Sequence, residues 1–241
     1  MRVMYIGWFS CGVTSAVAIK LAMKRYNDVQ PYFIQTGSED NDSFRFLKQC
    51  EKWFGCNIVM LRSSKYTSHF DVIEKTGCIN TPYGAPCTKV LKKNVRYKLE
   101  DELKCWDGQV FGFDISERKR FYRFREQYPK TKAIAPLIDY SLSKSDCMAI
   151  IEREGIEIPM MYKKGFGNNN CIGCVKGGKS YWSLIRKEYP DIFRRMIEME
   201  NKLGRSCING LFLRDLPDNY PYNEPIVPSC SIFCEIDFKD I

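Results

Sequence analysis

The sequence has a single histidine, His69, among its 241 residues, and no run of apolar residues approaches the roughly 18 that a membrane-spanning helix needs. Any relay between a nucleophile and a histidine would have to use His69, and no motif around it supports one, so we interpret it as structural or exposed. The N-terminus lacks the basic region, apolar region and small-residue cleavage site of a signal peptide. We therefore expect a cytoplasmic protein that does not associate with membranes.

Two further features are missing from the sequence. The Walker A pattern G-x-x-x-x-G-K-[ST] is absent, which excludes the P-loop type of nucleotide site. There is also no internal repeat and no low-complexity segment, which excludes a repeat array and a chain without a packed core.

The composition instead favours a globular protein with an anionic ligand. Hydrophobic residues make up 44% of the chain, enough for a sizeable core, and the net charge is +8. This charge favours a nucleotide or a nucleic acid as partner, with ordinary solubility charge as the alternative. The twelve cysteines, without a secretory signal, favour metal, iron-sulfur or thiol chemistry over disulfides, and buried reduced thiols are the alternative.

Apolar runs alternate with helical patterns along the first half of the chain. The predicted strands are residues 3–9, 31–34, 57–61 and 109–113, and the predicted helices are residues 14–26, 42–54 and 86–105. This alternation predicts an α/β fold with a doubly wound, mostly parallel, Rossmann-like sheet. We expect residues 1–165 to form this domain. Residues 166–241 would pack on it as a cysteine-containing loop, a helix at 181–203 and a proline-rich tail.

The first predicted strand runs into the pattern S-x-G-x-x-S and then a helix. Such a corner gathers backbone N–H groups at the positive end of the helix dipole, which is typical of an anion site. Gly12 would let the backbone approach the ligand closely, and Ser10 and Ser15 would add hydroxyl donors.

Several motifs in this order resemble a known family. FSCGVTS resembles the pyrophosphate-binding loop S-G-G-x-D-S of the PP-loop ATPases. Four further segments resemble, in order, motifs of the phosphoadenosine phosphosulfate (PAPS) reductase family, including its DNA phosphorothioation relatives. They are FIQTGSEDNDSFRFL, PCTKVLKKN, GFDISERKRFYRF and the segment from APLIDY to CIGC. The resemblance runs from about residue 3 to 200 and implies the adenine nucleotide alpha-hydrolase type of fold. It also implies that an adenine nucleotide such as ATP is held by Ser10, Cys11, Gly12, Thr14, Ser15, Gln35, Thr36, Gly37, Lys92, Glu117, Arg118 and Arg120.

Three positions depart from the family pattern. Cys11 stands where Gly is usual, and Thr14 and Gln35 stand where Asp is usual. The two missing acids weaken the case for Mg²⁺-assisted ATP cleavage but leave nucleotide binding by backbone donors intact. A solvated basic helix face is the alternative reading of Glu117, Arg118 and Arg120.

Cys171-Ile-Gly-Cys174 has the spacing of a half-site for zinc or an iron-sulfur cluster, and it would also suit a redox pair. The resemblance adds Cys87, which implies three ligands of a [4Fe-4S] cluster with one open iron. Cys78 as a fourth ligand would give zinc or a complete cluster, and a metal-free dithiol is the alternative. Cys230 and Cys234 are a second candidate pair, and their surroundings do not reproduce the E-C-G-x-H tail of the reductases.

We expect an enzyme that uses ATP to adenylate a nucleic acid or nucleotide and then transfers sulfur to it, with Cys87, Cys171 and Cys174 as catalytic thiols. A sulfur donor protein is an expected partner, and a homo-oligomer stays open. The alternatives are a PAPS or adenylyl-sulfate reductase, and a non-catalytic protein that binds or sequesters a nucleotide.

Overall fold

Five parallel strands form the centre of the protein in the computed structural model, which describes residues 4–82, 84–222 and 226. The strands are β1 (Tyr5–Phe9), β2 (Val29–Gln35), β3 (Val59–Arg62), β4 (Gly108–Val110) and β5 (Ala133–Ile134). Their order in the sheet is β3-β2-β1-β4-β5, and Tyr5 pairs with Val29 on one side and with Gly108 on the other. The predicted doubly wound α/β fold is confirmed.

The strand order reverses between β1 and β4. In open parallel sheets the loops beyond the carboxyl ends of the strands diverge at such a switch point and leave a crevice for a ligand. The loops after β1, β2 and β4 therefore share one edge of the sheet.

Ten α-helices surround the sheet in the described ranges. They are α1 (Val13–Arg25), α2 (Asp42–Phe54), α3 (His69–Thr76), α4 (Asn94–Leu103), α5 (Arg118–Gln127), α6 (Pro136–Asp139), α7 (Lys144–Arg153), α8 (Met160–Lys163), α9 (Lys179–Glu188) and α10 (Pro190–Leu203). A π-helical segment, Thr88–Lys93, leads directly into α4. One core cluster joins the sheet to α1, α2 and α7, and a second packs α3 against α9 and α10.

Three elements differ from the sequence-based expectation. The helix predicted at 181–203 is two helices, α9 and α10, because Pro190 lacks the N–H that a continuous helix needs and instead opens α10. The helix predicted at 86–105 starts as the π-helical segment. The fifth strand, only two residues long, was not predicted.

None of the helices in the described ranges is long and apolar enough to cross a membrane. The predicted pair Cys230 and Cys234 lies outside the described residues, as does most of the predicted proline-rich tail.

Candidate active site

The loop after β1 folds tightly around one serine hydroxyl. Ser15 Oγ accepts hydrogen bonds from Ser10 N (3.0 Å) and Ser10 Oγ (3.1 Å), and it donates to the Gly12 carbonyl (2.8 Å). A Cβ on Gly12 would lie 3.0 Å from the Tyr162 hydroxyl, so glycine fits this position best. Gly12, the N-cap residue of α1, has no side chain with which to cap this terminus, and N–H groups at the start of a helix are suited to an anion.

Cys11 contributes to this loop through its backbone. Its φ is +57°, a left-handed conformation that favours glycine, which explains why glycine is usual at this position of the motif. Its side chain is 1% exposed and packs in the core, where burial raises the pKa of the thiol well above its usual value. Its carbonyl accepts a hydrogen bond from Asn169 Nδ2 at 2.6 Å. The Cys11 thiol is therefore turned away from the site.

The loop after β2 is organised by Glu39. The Glu39 carboxylate accepts hydrogen bonds from Thr36 N (2.7 Å), Thr36 Oγ1 (2.6 Å) and Ser38 N (3.1 Å). Gly37 has a φ of +70°, and a Cβ there would lie 1.8 Å from the Thr67 carbonyl oxygen, so only glycine fits. Gln35 is the last residue of β2, where it pairs with Arg62 of β3.

A central cleft of about 830 Å³ opens beyond β1 and β2. Its floor is aromatic and its wall is cationic. It is lined by Trp8, Phe9, Ser10, Phe33, Ile34, Glu39, Lys92, Lys93, Arg96, Asn169, Asn170 and Cys171. Three cations on one wall of the cleft suit the phosphates of a nucleotide.

A second cavity of about 540 Å³, the Arg120 cavity, lies at the switch point between β1 and β4. It shares Trp8 and Ser10 with the central cleft and is also lined by Thr14, Ser15, Phe111, Gly112, Phe113, Glu117 and Arg120. Arg120 forms an ion pair with Glu117. The predicted ligand Arg118 is not among the lining residues, and its guanidinium lies 5.7 Å from the ring centroid of Tyr122 on the exposed face of α5.

A third cavity, the thiol cavity, brings together Cys87, Cys171 and Cys174. It encloses about 350 Å³ and is also lined by Thr36, His69, Thr88, Leu91, Lys92 and Val175. Cys171 Sγ lies 3.1 Å from Thr36 Oγ1. The three thiols come from two segments of the chain, since Cys87 precedes Cys171 by 84 residues.

The loop that carries Cys171 and Cys174 is held by its backbone. Ile172 N donates to the Ser38 carbonyl (2.7 Å), while the Tyr181 hydroxyl accepts from Cys174 N (2.9 Å) and donates to the Cys171 carbonyl (2.8 Å). The two thiols are therefore fixed relative to the loop after β2.

Burial keeps two of these thiols protonated at rest. It is the largest influence on both residues and raises the pKa of the Cys87 and Cys171 thiols. Lys176 lowers the pKa of Cys87 and Lys92 lowers that of Cys171, but each lysine effect is smaller than the effect of burial. A ligand or partner that brings positive charge or a base to the cavity would be needed to form the thiolates.

The predicted four-cysteine metal site is not assembled. Cys78 is absent from the lining of the thiol cavity, and its Sγ lies 3.8 Å from the Asn80 carbonyl oxygen. Within residues 4–82 and 84–222, no group of three or more His, Cys, Asp or Glu side chains is arranged to hold a metal ion. The donor set therefore does not fit a zinc ion or an iron-sulfur cluster, and we derive no step through one.

The sequence-based reasoning missed several residues of the site. His69 is 3% exposed, lines the thiol cavity and contacts Ser38 Oγ through Nδ1 at 2.7 Å, so it is not an exposed residue. Glu39 and Asn169 were not singled out either, although Asn169 bonds to both Cys11 O and Ser43 Oγ. The only signal was the glycine- and asparagine-rich composition of residues 165–173.

Comparisons with known proteins place this site in a family. A sequence model of the phosphoadenosine phosphosulfate reductase domain matches residues 5–178. The chain is 26% identical over 204 residues to the uncharacterized protein MJ0973 and 25% identical over 195 residues to the uncharacterized protein MJ0066, both of Methanocaldococcus jannaschii. These matches cover 81% and 78% of this chain but 47% and 39% of those proteins, so the chain spans about half or less of their length.

The fold is also found in a solved structure. The crystal structure of phosphoadenylyl-sulfate reductase from Candida auris, a phosphate complex, superposes with a TM-score of 0.53 at 13% identity, covering 71% of this chain and 82% of that one. At this identity the likeness concerns the fold alone. The family match covers more than two thirds of the sequence and includes the loops after β1, β2 and β4 and the Cys171–Cys174 loop, so the chain belongs to the phosphoadenosine phosphosulfate reductase domain family, whose members bind adenine nucleotides and are typically enzymes.

Proposed function

We propose that this chain binds ATP in the central cleft and transfers sulfur to an adenylated nucleic acid or nucleotide by means of the thiols beside it. One observation carries the proposal: Cys171 and Lys92 line both the central cleft and the thiol cavity. A sulfur atom on Cys171 therefore adjoins the space in which the phosphates of a bound nucleotide would lie.

In this proposal the nucleotide is held by the chain's own donors. The backbone of residues 10–15 and the N-terminus of α1 receive the phosphates, and Lys92, Lys93 and Arg96 balance their charge from the opposite wall. Thr36 and Gly37 shape the adenosine side. Arg120 takes the outer phosphates once its ion pair with Glu117 opens, because both residues line the adjoining cavity.

The reaction we propose has two steps. An acceptor oxygen attacks the α-phosphorus of ATP, a P–O bond forms, and pyrophosphate leaves. A persulfide on Cys171, loaded by a sulfur donor protein, then attacks the activated carbon with its outer sulfur, and AMP leaves with the former acceptor oxygen. A second thiol of the cavity, Cys87 or Cys174, attacks the inner sulfur and breaks the S–S bond. The product is the thiolated acceptor and a protein disulfide, which an external dithiol reduces.

The grouping of thiols supports a second candidate, reduction of a sulfonucleotide. One thiolate would attack the sulfonyl sulfur and release the nucleotide, and a second thiol would attack the resulting S-sulfocysteine, releasing sulfite and leaving a disulfide. Two neighbouring thiols are sufficient for this two-electron reduction, and Cys87, Cys171 and Cys174 line one cavity.

Product analysis separates the candidates. The full chain is incubated with ATP, single-stranded nucleic acid, a persulfide-bearing sulfur donor protein and a dithiol, or with PAPS or adenylyl sulfate and a dithiol. Pyrophosphate, AMP, thiolated nucleic acid and sulfite are measured. We expect acceptor-dependent pyrophosphate release, and we expect Cys171→Ser to abolish formation of the thiolated product. Cys105→Ser is the matched control, since Cys105 is exposed at the end of α4 and lines none of the three cavities.

Two outcomes would contradict this proposal. Sulfite formation without pyrophosphate release would favour the reductase. Retention of ATP or AMP with no turnover of any substrate would favour a non-catalytic nucleotide-binding protein. Iron, sulfide and zinc analysis of anaerobically purified protein, compared between the wild type and Cys171→Ala, tests the metal centre that the family resemblance implied.

A further inference from the structure

A larger groove adjoins the candidate active site. This lysine groove encloses about 1,100 Å³, and the lining residues that matter here are Thr88, Lys89, Lys93, Asn94, Tyr97 and Lys176. It touches both parts of the site, because Thr88 also lines the thiol cavity and Lys93 also lines the central cleft. A molecule lying in the groove would therefore reach the thiols and the nucleotide phosphates together.

The groove is cationic, and its lysines are not paired with acidic side chains. Lys89, Lys93 and Lys176 are exposed, none of them makes an ion pair within the described part of the chain, and no carboxylate side chain lines the groove. Three unpaired cations on one concave surface attract a polyanion, and its counterions are released on binding. The fold itself does not require these lysines.

An aromatic ring lies among the three lysines. Tyr97 is 40% exposed, unusually high for a large hydrophobic residue of this protein, and the Arg96 guanidinium lies 5.0 Å from its ring centroid. Exposed aromatic rings between cations are typical of surfaces that stack the bases of a single strand while lysines contact its phosphates. An acidic protein surface would use the lysines but would leave the flat face of Tyr97 without a matching group.

The chemistry of the site also favours a single strand over a duplex. A base paired inside a helix cannot present a ring atom to a buried thiol unless it leaves the stack. The thiols here lie in a narrow cavity of about 350 Å³, whereas the groove leading to it is about three times larger and open. One unstacked base could lie at the mouth of the small cavity while the neighbouring nucleotides stay in the groove.

We propose that the lysine groove binds a single-stranded segment of nucleic acid, with its phosphodiesters on Lys89, Lys93 and Lys176 and one base stacked on Tyr97. The next nucleotide would lie beside Thr88, at the mouth of the thiol cavity. The inference deepens the proposed function and rests on it for the reaction, but the binding step needs no ATP.

The test measures binding of a labelled single-stranded RNA or DNA of about twelve nucleotides to the full chain by fluorescence anisotropy over a series of KCl concentrations. Three phosphate contacts predict a slope of log K against log salt of about −2. We expect Lys89→Glu/Lys176→Glu to weaken binding at least tenfold. Tyr97→Ala should weaken it by about 5- to 150-fold, the range found for loss of one stacked base. A duplex of the same sequence should bind more weakly than the single strand.

Two control variants match the change in net charge. Lys52→Glu/Lys202→Glu removes exposed lysines from α2 and α10, outside the groove, and Arg123→Glu/Arg125→Glu alters the exposed basic face of α5. Both should bind nearly as the wild type does. Equal weakening by all three double variants would mean that only overall charge matters, and a loss confined to the α5 variant would place the strand on that helix; either result overturns the inference.

A second measurement separates this inference from the proposed function. Thermal stabilisation by ATP is recorded for the wild type and for the Lys89→Glu/Lys176→Glu variant. Neither Lys89 nor Lys176 lines the central cleft. Oligonucleotide binding without any ATP-dependent stabilisation would contradict the proposed function and leave the groove standing. ATP-dependent stabilisation without oligonucleotide binding would refute nucleic-acid binding in the groove but not the nucleotide site. Preference of the groove for an acidic sulfur donor protein over the oligonucleotide would have the same meaning.

Discussion

At the scale of single residues, the buried His69 makes stability depend on pH. Burial, followed by the nearby positive charge of Arg195, lowers its pKa from 6.5 to about 4. Between these values the unfolded chain binds a proton that the folded chain does not, so stability is lost as pH falls from about 6.5 to about 4. The loss is up to about 3 kcal/mol. Urea unfolding at pH 7 and pH 4.5 should show a much smaller decrease for His69→Gln than for the wild type.

Comparison with the variant removes the contribution of the carboxylates, which titrate in both proteins. An equal decrease in the unfolding free energy of the two proteins would contradict the assignment to His69.

The single residues of the site differ in how far the sequence predicted them. The sequence could predict that Ser10, Gly12 and Ser15 lie in one loop, because a strand, a short S-x-G-x-x-S loop and a helix determine their arrangement locally. It could not predict the place of Asn169, since the contact of Asn169 with the Cys11 carbonyl joins residues 158 positions apart. The same holds for His69, whose partner Ser38 is 31 positions away.

At the scale of elements, α7 has the most complete terminus. Asp146 N donates to Ser143 Oγ (3.2 Å) and Ser143 N donates to an Asp146 carboxylate oxygen (2.9 Å), which makes a reciprocal capping box. Ser143→Ala should lower the free energy of unfolding by about 1 kcal/mol, as measured by urea denaturation, because a first-turn N–H loses its acceptor. Ser143→Thr keeps the hydroxyl and should stay close to the wild type; a loss as large as that of the alanine variant would contradict this account.

Elements were predictable where the local pattern is strong. The predicted helix 42–54 agrees with α2, which has an αL glycine, Gly55, directly after its end. The spacing Ser143-x-x-Asp146 at the start of α7 is likewise a local signature of a helix N-terminus. β5 was not predictable, because two residues carry no periodicity, and its pairing with β4 is a tertiary contact. The π-helical turn at 88–93 has no sequence signature that separates it from an α-helix.

At the scale of the whole molecule, burial sorts the cysteines into reactivity classes. Cys105 is exposed, whereas Cys11, Cys50, Cys147 and Cys207 are buried. Among the cysteines of the described residues, brief alkylation with iodoacetamide, followed by peptide mass spectrometry, should label Cys105 first and those four only after unfolding. The thiols of the thiol cavity should be intermediate, and ATP should slow the labelling of Cys171. Rapid native labelling of Cys50 or Cys147 would contradict the packing of the main core.

The fold class was predictable from the whole sequence because strands and helices alternate, and the motifs in register added the family. The gathering of three concavities around Lys92, Lys93 and Thr88 was not predictable, since it depends on how the π-helical segment lies beside the Cys171–Cys174 loop. The division into residues 1–165 and 166–241 stays a prediction.

The hydrogen bond from Ile172 N to the Ser38 carbonyl has a consequence for the timing of assembly. The Cys171–Cys174 loop has no regular element of its own between residues 167 and 178 and is held by Ser38, which is made much earlier in the chain, and by Tyr181, which directly follows the loop. During synthesis, Cys171 and Cys174 emerge after the sheet has all its strands. The two thiols can therefore reach their place beside Cys87 only after all the strands of the sheet have been synthesised.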